Sequence, residues 1–199
     1  MAKTKRKRWN KKFKRYKKVS ENYFKVRAEV DGLISYPQNA PGQPQFKLTN
    51  LGQLENPSSV LTFEEILTHQ TYSNMLAGMF SFYKILGVTV EITPQAQNSA
   101  GYKAIDREPM TIVGVRAGSN VAMNFSEARS INSSIVLNPI QYTRKYTSLL
   151  GFFNSYISTS AAFTGGVTVV AEDNTGQLAN SPTWVFKITQ YMLYKKSKI

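Results

Sequence analysis

The sequence contains no cysteine and only one histidine, His69. The first absence excludes disulfides and thiolate metal sites, and the second leaves zinc without a pair of imidazoles. Acid is missing from the first twenty residues, MAKTKRKRWNKKFKRYKKVS, which hold eleven Lys or Arg. No apolar segment follows that basic run in the way a secretion signal requires, so the expectation is a protein that stays inside the cell that makes it. The charge-free stretch 146–171 is long enough to span a bilayer, yet nine of its residues are Ser, Thr or Asn, and Gly165 and Gly166 interrupt it. Its Thr and Val content favours strands over a membrane helix. Internal repeats, strand–helix–strand alternation and a Gly-rich phosphate loop are all missing.

What the chain does have is a division of charge. Of its 25 Lys and Arg, 11 lie in residues 1–20, which leaves 14 against 12 acids in residues 21–199, a net of +2. Lys3, Lys5, Arg6, Lys7, Arg8, Lys11, Lys12, Lys14, Arg15, Lys17 and Lys18 repel one another and need phosphates or lipid headgroups as counter-charge. Trp9, Phe13 and Tyr16 are spaced by four and three, which sets them on one face of a helix if one forms, with Val19 extending the stripe. The alternative is an irregular arm whose aromatics stack on bases. Basic residues interleaved with aromatics point to nucleic acid, bound with little sequence preference and with a steep dependence on salt. The cluster Lys5, Arg6, Lys7, Arg8 with Lys11 and Lys12 also has the form of a nuclear import signal.

Residues 21–199 read as one domain, since about 180 residues suffice for a single core. From Tyr23 to Tyr36, Phe24, Val26, Ala28, Val30 and Ile34 alternate with charged residues, which predicts a long strand with one wet side. Gln45–Asn50 is suited to pair with it, and 51–61 reads as a loop. Thr62 and Glu65 form a capping box, which predicts a helix over 63–69 and a second turn through Met75 and Leu76. Residues 80–93 are the clearest strand, with Leu86, Val88, Val90 and Ile92 on one face and Pro94 ending it. Met110–Arg116 reads as a strand buried on both faces. Shorter strands are expected near 129–137, 140–149 and 155–160, then Gly166–Glu172 and Thr183–Tyr194. About eight strands with one or two short helices in the loops indicate an all-β, two-sheet antiparallel sandwich of Greek-key or jelly-roll type.

The order of these features resembles one family. A basic arm, a long amphipathic strand, a loop with a short helix, the strand FSFYKILGVTVEITP and the closing pair GVTVVAE and TWVFKITQYMLYKK are similar to the capsid proteins of small circular single-stranded DNA viruses, the circovirus-like group. The resemblance implies a single jelly roll and assembly of about sixty copies into a small icosahedral shell. It also implies an arm facing inward onto a single-stranded DNA genome, and host import receptors that carry new protein to the nucleus before it enters the virion. Satellite viruses with RNA genomes have coats of similar size and fold, so RNA is the alternative genome. On this reading the nucleic-acid-binding residues are the eleven arm cations together with Trp9, Phe13 and Tyr16; a host attachment factor has no candidate residues.

Catalysis has little to work with. His69 stands where a helix C-cap is the ordinary explanation, and the neighbours Glu64 and Glu65 suit helix-start electrostatics rather than an acid–base pair. No enzyme, metal or cofactor is expected. Arg144 and Lys145, and Lys195, Lys196 and Lys198, are either additions to an inner basic surface or, more simply, solvated charges. Phe152, Phe153, Tyr156 and Tyr102 are candidates for subunit contacts. Two readings of another class are a cellular nucleic-acid-binding β protein, which would carry basic residues on its folded domain, and a β-sandwich lectin, which leaves the arm unexplained.

Overall fold

The computed structural model describes residues 23–36, 43–49, 58–95, 110–138, 140–153, 155–161, 164–172 and 183–196. In chain order the elements are β1 (Tyr23–Ser35), β2 (Gln45–Leu48), β3 (Val60–Thr62), α1 (Phe63–Thr68), α2 (Ser73–Met79), β4 (Phe82–Pro94) and β5 (Thr111–Ala117). They continue with α3 (Phe125–Ser130), β6 (Ile135–Val136), β7 (Thr143–Ser148), β8 (Ile157–Ser158), β9 (Gly165–Ala171) and β10 (Trp184–Lys195).

Strand pairing is nested: β1 pairs with β10, β3 with β9, β4 with β7 and β5 with β6, all antiparallel. Such an order arises when one long antiparallel hairpin is rolled up and closed sideways, here through β10–β4 and β9–β5. The result is a jelly roll with one sheet ordered β2-β1-β10-β4-β7, β8 lying beside β4, and a second sheet ordered β3-β9-β5-β6. Eight strands make up the roll. The segments expected to pair near 45–50 and to form a strand near 155–160 appear as β2 and β8, short additions to the first sheet, while β3 takes a place in the roll where a loop was expected; the described residues hold three helices where one or two were expected.

Between the sheets lies one core. The first sheet contributes Val26, Ala28, Val30 and Ile34 from β1, Tyr83, Ile85, Val88, Val90 and Ile92 from β4, and Trp184, Phe186, Ile188, Met192 and Tyr194 from β10. Leu61, Val113, Val115, Val167 and Val169 face them from the second sheet. Each side chain of this size contributes about 1.5–3 kcal/mol on burial, and dozens of them offset the ordering entropy in a domain that has no disulfide. Aromatic packing fixes the arm-side end, where Tyr194 lies 5.6 Å from Phe80 and 5.8 Å from Tyr83 between ring centroids. Burial pushes the Tyr194 hydroxyl up to about 12, so it stays neutral at any ordinary pH.

The second sheet is covered on its outer side as well. Met123 and Ala128 from the α3 segment pack on Ile112, and the Thr168 hydroxyl donates to the Val121 carbonyl at 2.7 Å. This explains why Thr111–Val115 is buried on both faces. The segment 129–137, expected as a strand, begins instead as the end of α3: Asn124 and Glu127 form a capping box at its start, with Glu127 N–H to Asn124 Oδ1 at 2.8 Å. Only Ile135–Val136 is strand there. The box predicted at Thr62 is present, with Glu65 N–H to Thr62 Oγ1 at 3.1 Å.

Two further departures have local causes. A β-bulge shifts β4 against β10 between Tyr191 and Met192, so that Met192 faces Ile85 and Tyr191 faces Gly87. Leu86 is left out of the ladder and half-exposed, and Ile85 takes the core position. In the loop expected over 51–61, Val60 and Leu61 join β3, too short a strand to leave an alternation. The free edge of β1 is closed by side chains: Gln70 Nε2 donates to the Glu29 carbonyl at 2.7 Å, and the Tyr72 hydroxyl donates to that of Arg27. At Gly165, φ is +132° and a Cβ would lie 2.6 Å from the Phe63 ring, so only glycine fits where β9 passes α1.

One buried group is poorly matched. Gln190 of β10 is fully buried with no hydrogen-bond partner for Oε1, while its Nε2 donates only to the Met192 sulfur at 3.3 Å. Gln190→Leu removes both polar atoms at similar volume and is expected to raise stability by about 1–2 kcal/mol. A higher denaturant midpoint with an unchanged slope checks this, and a lower midpoint contradicts it.

Candidate nucleic-acid interface

The fourteen arm residues expected to contact nucleic acid, from Lys3 to Lys18, lie outside the described residues, as do Tyr102 and Lys198. The structure does describe the place where the arm meets the domain. Tyr23 opens β1, and cross-strand pairing sets it beside Lys195, which in turn faces Phe82 of β4. The next row on the same face is Lys25, Leu193 and Lys84. Tyr156, just before β8, lies over these rows, its ring centroid 5.3 Å from both Lys84 Nζ and Lys195 Nζ and 6.2 Å from the Tyr23 ring. Burial, and next the neighbouring Tyr23, raise the Tyr156 hydroxyl above its ordinary value, so the ring stays neutral between the two ammonium groups.

Farther along the same face acids appear among the bases. Glu29 faces Thr189, and Asp31, Lys187 and Glu91 form one row across β1, β10 and β4. Glu29 pairs with Arg27 and with Lys187 at 3.1 Å, and Arg144 of β7 pairs with Glu91 at 3.3 Å. The Tyr142 hydroxyl donates to Glu91 at 3.1 Å. This outer face of the first sheet therefore has a cationic, aromatic end at the arm and a charge-paired end away from it.

The other basic candidates separate cleanly. Lys145 points to the inner side of β7, where Nζ donates to the Ser134 carbonyl at 2.9 Å and to that of Asn132, so it ties the two sheets together rather than adding to a basic surface. Arg144 is held by Glu91, while Lys195 belongs to the arm-side cluster and Lys196 follows it, exposed. Phe153 is buried in the core, whereas its neighbour Phe152 is 71% exposed. His69 caps α1, its N–H donating to the Glu65 carbonyl at 3.1 Å. Tyr23, Lys25 and Lys84 went unnoticed in the sequence as site residues. Nothing in their local spacing marks them; they meet only once β1, β10 and β4 pair.

No protein-family model and no curated protein matches the chain. Among solved structures it is similar to that of Mud crab tombus-like virus, with a TM-score of 0.55 at 9% identity over 92% of this chain and 85% of that one. It is similar to the T=1 subviral particle of a Penaeus vannamei nodavirus capsid protein deletion mutant, with a TM-score of 0.53 at 9% identity over 88% and 99%. Cocksfoot mottle virus gives 0.51 at 8% identity over 89% and 97%. At such identities the likeness is one of fold. It extends over several viruses and does not single out the circovirus-like group that the sequence pattern resembles.

Burial raises the Glu29 pKa, but the hydrogen bonds and charges of Lys187 and Arg27 outweigh it and the net shift is downward. A lowered carboxyl stabilises the fold above the ordinary carboxylate range, and that contribution is lost as pH falls through the lowered value. The pairs are partly exposed, so the effect is under about 1 kcal/mol. Glu29→Gln is expected to lower the denaturation midpoint at pH 7, and the difference from the parent is expected to shrink as pH falls below the ordinary carboxylate range; a difference that does not diminish in acid contradicts the assignment.

Proposed function

We propose that the chain is a viral coat protein whose jelly roll tiles a closed shell while its basic arm neutralises the packaged genome. The observation that carries this reading is the conjunction of an arm of eleven cations and no acids with a near-neutral domain. The jelly-roll fold, similar to that of the viral particles above, supports it. About sixty copies in the simplest icosahedral arrangement would bring roughly 660 arm charges inside, a useful share of what a genome of a few kilobases requires. Single-stranded DNA is the proposed genome and the host nucleus the proposed site of assembly, following the sequence resemblance and the import-like cluster Lys5–Arg8. An RNA genome is the second reading, since the fold likeness extends over several viruses and does not single out the circovirus-like group.

Purified protein is expected to sediment as particles of one size that appear as shells by electron microscopy. A strictly monomeric species under assembly conditions overturns the proposal. Digestion of the released contents with DNase or RNase decides the genome. Changing Lys5, Arg6, Lys7, Arg8, Lys11 and Lys12 to Gln should leave particles intact but lower their 260/280 nm absorbance ratio; an unchanged ratio removes the arm from packaging.

A further inference from the structure

We infer that the folded domain carries a nucleic-acid site of its own, on the arm-side end of the first sheet's outer face. Lys25, Lys84 and Lys195 hold phosphates there, and the rings of Tyr23 and Tyr156 take unpaired bases. The inference rests on the coat reading and extends it from the arm to the domain.

Three observations support it. First, the two terminal rows across β1, β10 and β4 contain three lysines and, among the described residues, no acid. Lys84 and Lys195 converge on one neutral ring, which offers each ammonium about 0.5–1 kcal/mol but cancels neither charge. Two cations held this close without a carboxylate between them favour an anion.

Second, the carboxylates of the same face are too far away to serve. Asp31 stands six residues along β1 from Lys25, about 20 Å at strand rise, more than two Debye lengths at physiological salt. Glu29 is nearer, but Arg27 and Lys187 already hold it. A polyanion laid on the sheet is thus attracted at the arm-side end and not beyond it.

Third, the site is reachable. The outer side of the second sheet is covered by the α3 segment, whereas on the first sheet Lys25 is exposed and Tyr23, Lys84, Tyr156 and Lys195 are each partly exposed. Lys18 precedes Tyr23 by five residues, a reach of at most about 18 Å, so a strand bound by the arm continues onto the platform. Stacking needs bases free of a duplex, which commits the occupant to single-stranded nucleic acid.

The test uses the full-length chain and a single-stranded oligonucleotide containing 5-bromouracil. After irradiation, adducts are mapped by mass spectrometry, and in parallel the slope of log affinity against log salt is measured. Adducts at Tyr23 or Tyr156 are expected, together with a slope shallower by roughly 2 in the triple variant Lys25→Gln, Lys84→Gln, Lys195→Gln, since each single-strand phosphate contact contributes about 0.7. Lys47→Gln, at the far end of the same sheet, should leave the slope unchanged. Adducts confined to Trp9, Phe13 and Tyr16 with an unchanged slope overturn the platform and leave the arm's role standing. If neutralising the arm cations also changes nothing, the coat reading itself fails. Binding to phosphatidylserine vesicles but not to the oligonucleotide overturns the platform in favour of a membrane surface.

Discussion

Pairing between the first and last strands is the constraint on which everything else in this domain depends. Twelve facing residue pairs join β1 to β10, from Tyr23 with Lys195 to Ile34 with Trp184. Closing a loop of about 150 residues costs about 4 kcal/mol beyond a constant, so this ladder forms only when apolar rows on its inner face reward it at once. They do: Val26 and Val30 meet Met192 and Ile188 across the ladder, Gln190 opposite Ala28 being the exception, and β4 adds Ile85, Val88 and Val90 on the other side of β10. With β10 thus placed in the middle of its sheet, the other strands are nested in order. At the far end the Trp184 indole donates to the Asn138 carbonyl at 3.1 Å, tying the same ladder to the connection between the sheets.

The two sheets are then treated differently by the chain. The stretch from β5 through α3 to β6 folds back over the second sheet and buries Ile112 and Thr168 from outside. The first sheet keeps its polar outer face, and along it cations gather at one end and ion pairs at the other. This asymmetry follows from the ladder just described. Because the two ends of the chain zip together, the root of the arm and the lysines of the last strand must share one end of one sheet. Lys195, unremarkable in sequence, thus stands beside Tyr23, the first described residue after the arm.

Legibility followed the length of each pattern. β1, β4 and β10 each present a dozen or so residues of alternation, and their extents were readable to within a residue or two. Capping chemistry at Thr62 gave α1 directly, and the same chemistry at Asn124 and Glu127 was available for α3, but the apolar residues after it suggested a strand instead. β3 spans three residues and owes its existence to a partner far along the chain, so no local signal marks it, while the strand expected near 129–137 shrinks to the two residues of β6. Leu86 illustrates the limit of periodicity: alternation carried through an unseen bulge put the wrong residue in the core. The arm was legible as a polyelectrolyte from composition alone, whereas the cluster around Tyr156 depends on three strands and a loop meeting and leaves no trace in any one of them.

Charge balance gives the strongest reason to look for a partner outside the fold. Within residues 21–199, 14 bases face 12 acids, and on the described surface the carboxylates Glu29 and Glu91 are already committed to Arg27, Lys187 and Arg144. The domain therefore has no store of negative charge from which to neutralise an arm of +11, and like charges spaced along one chain cannot be brought together without such a store. Small ions would suffice for a single chain in solution. On the coat reading proposed above, many copies whose arms point into one enclosed volume would multiply the repulsion, and an interior polyanion with one charge per residue would relieve it while releasing the small ions it brought along. A shell of that kind would be electrostatically incomplete until it is filled.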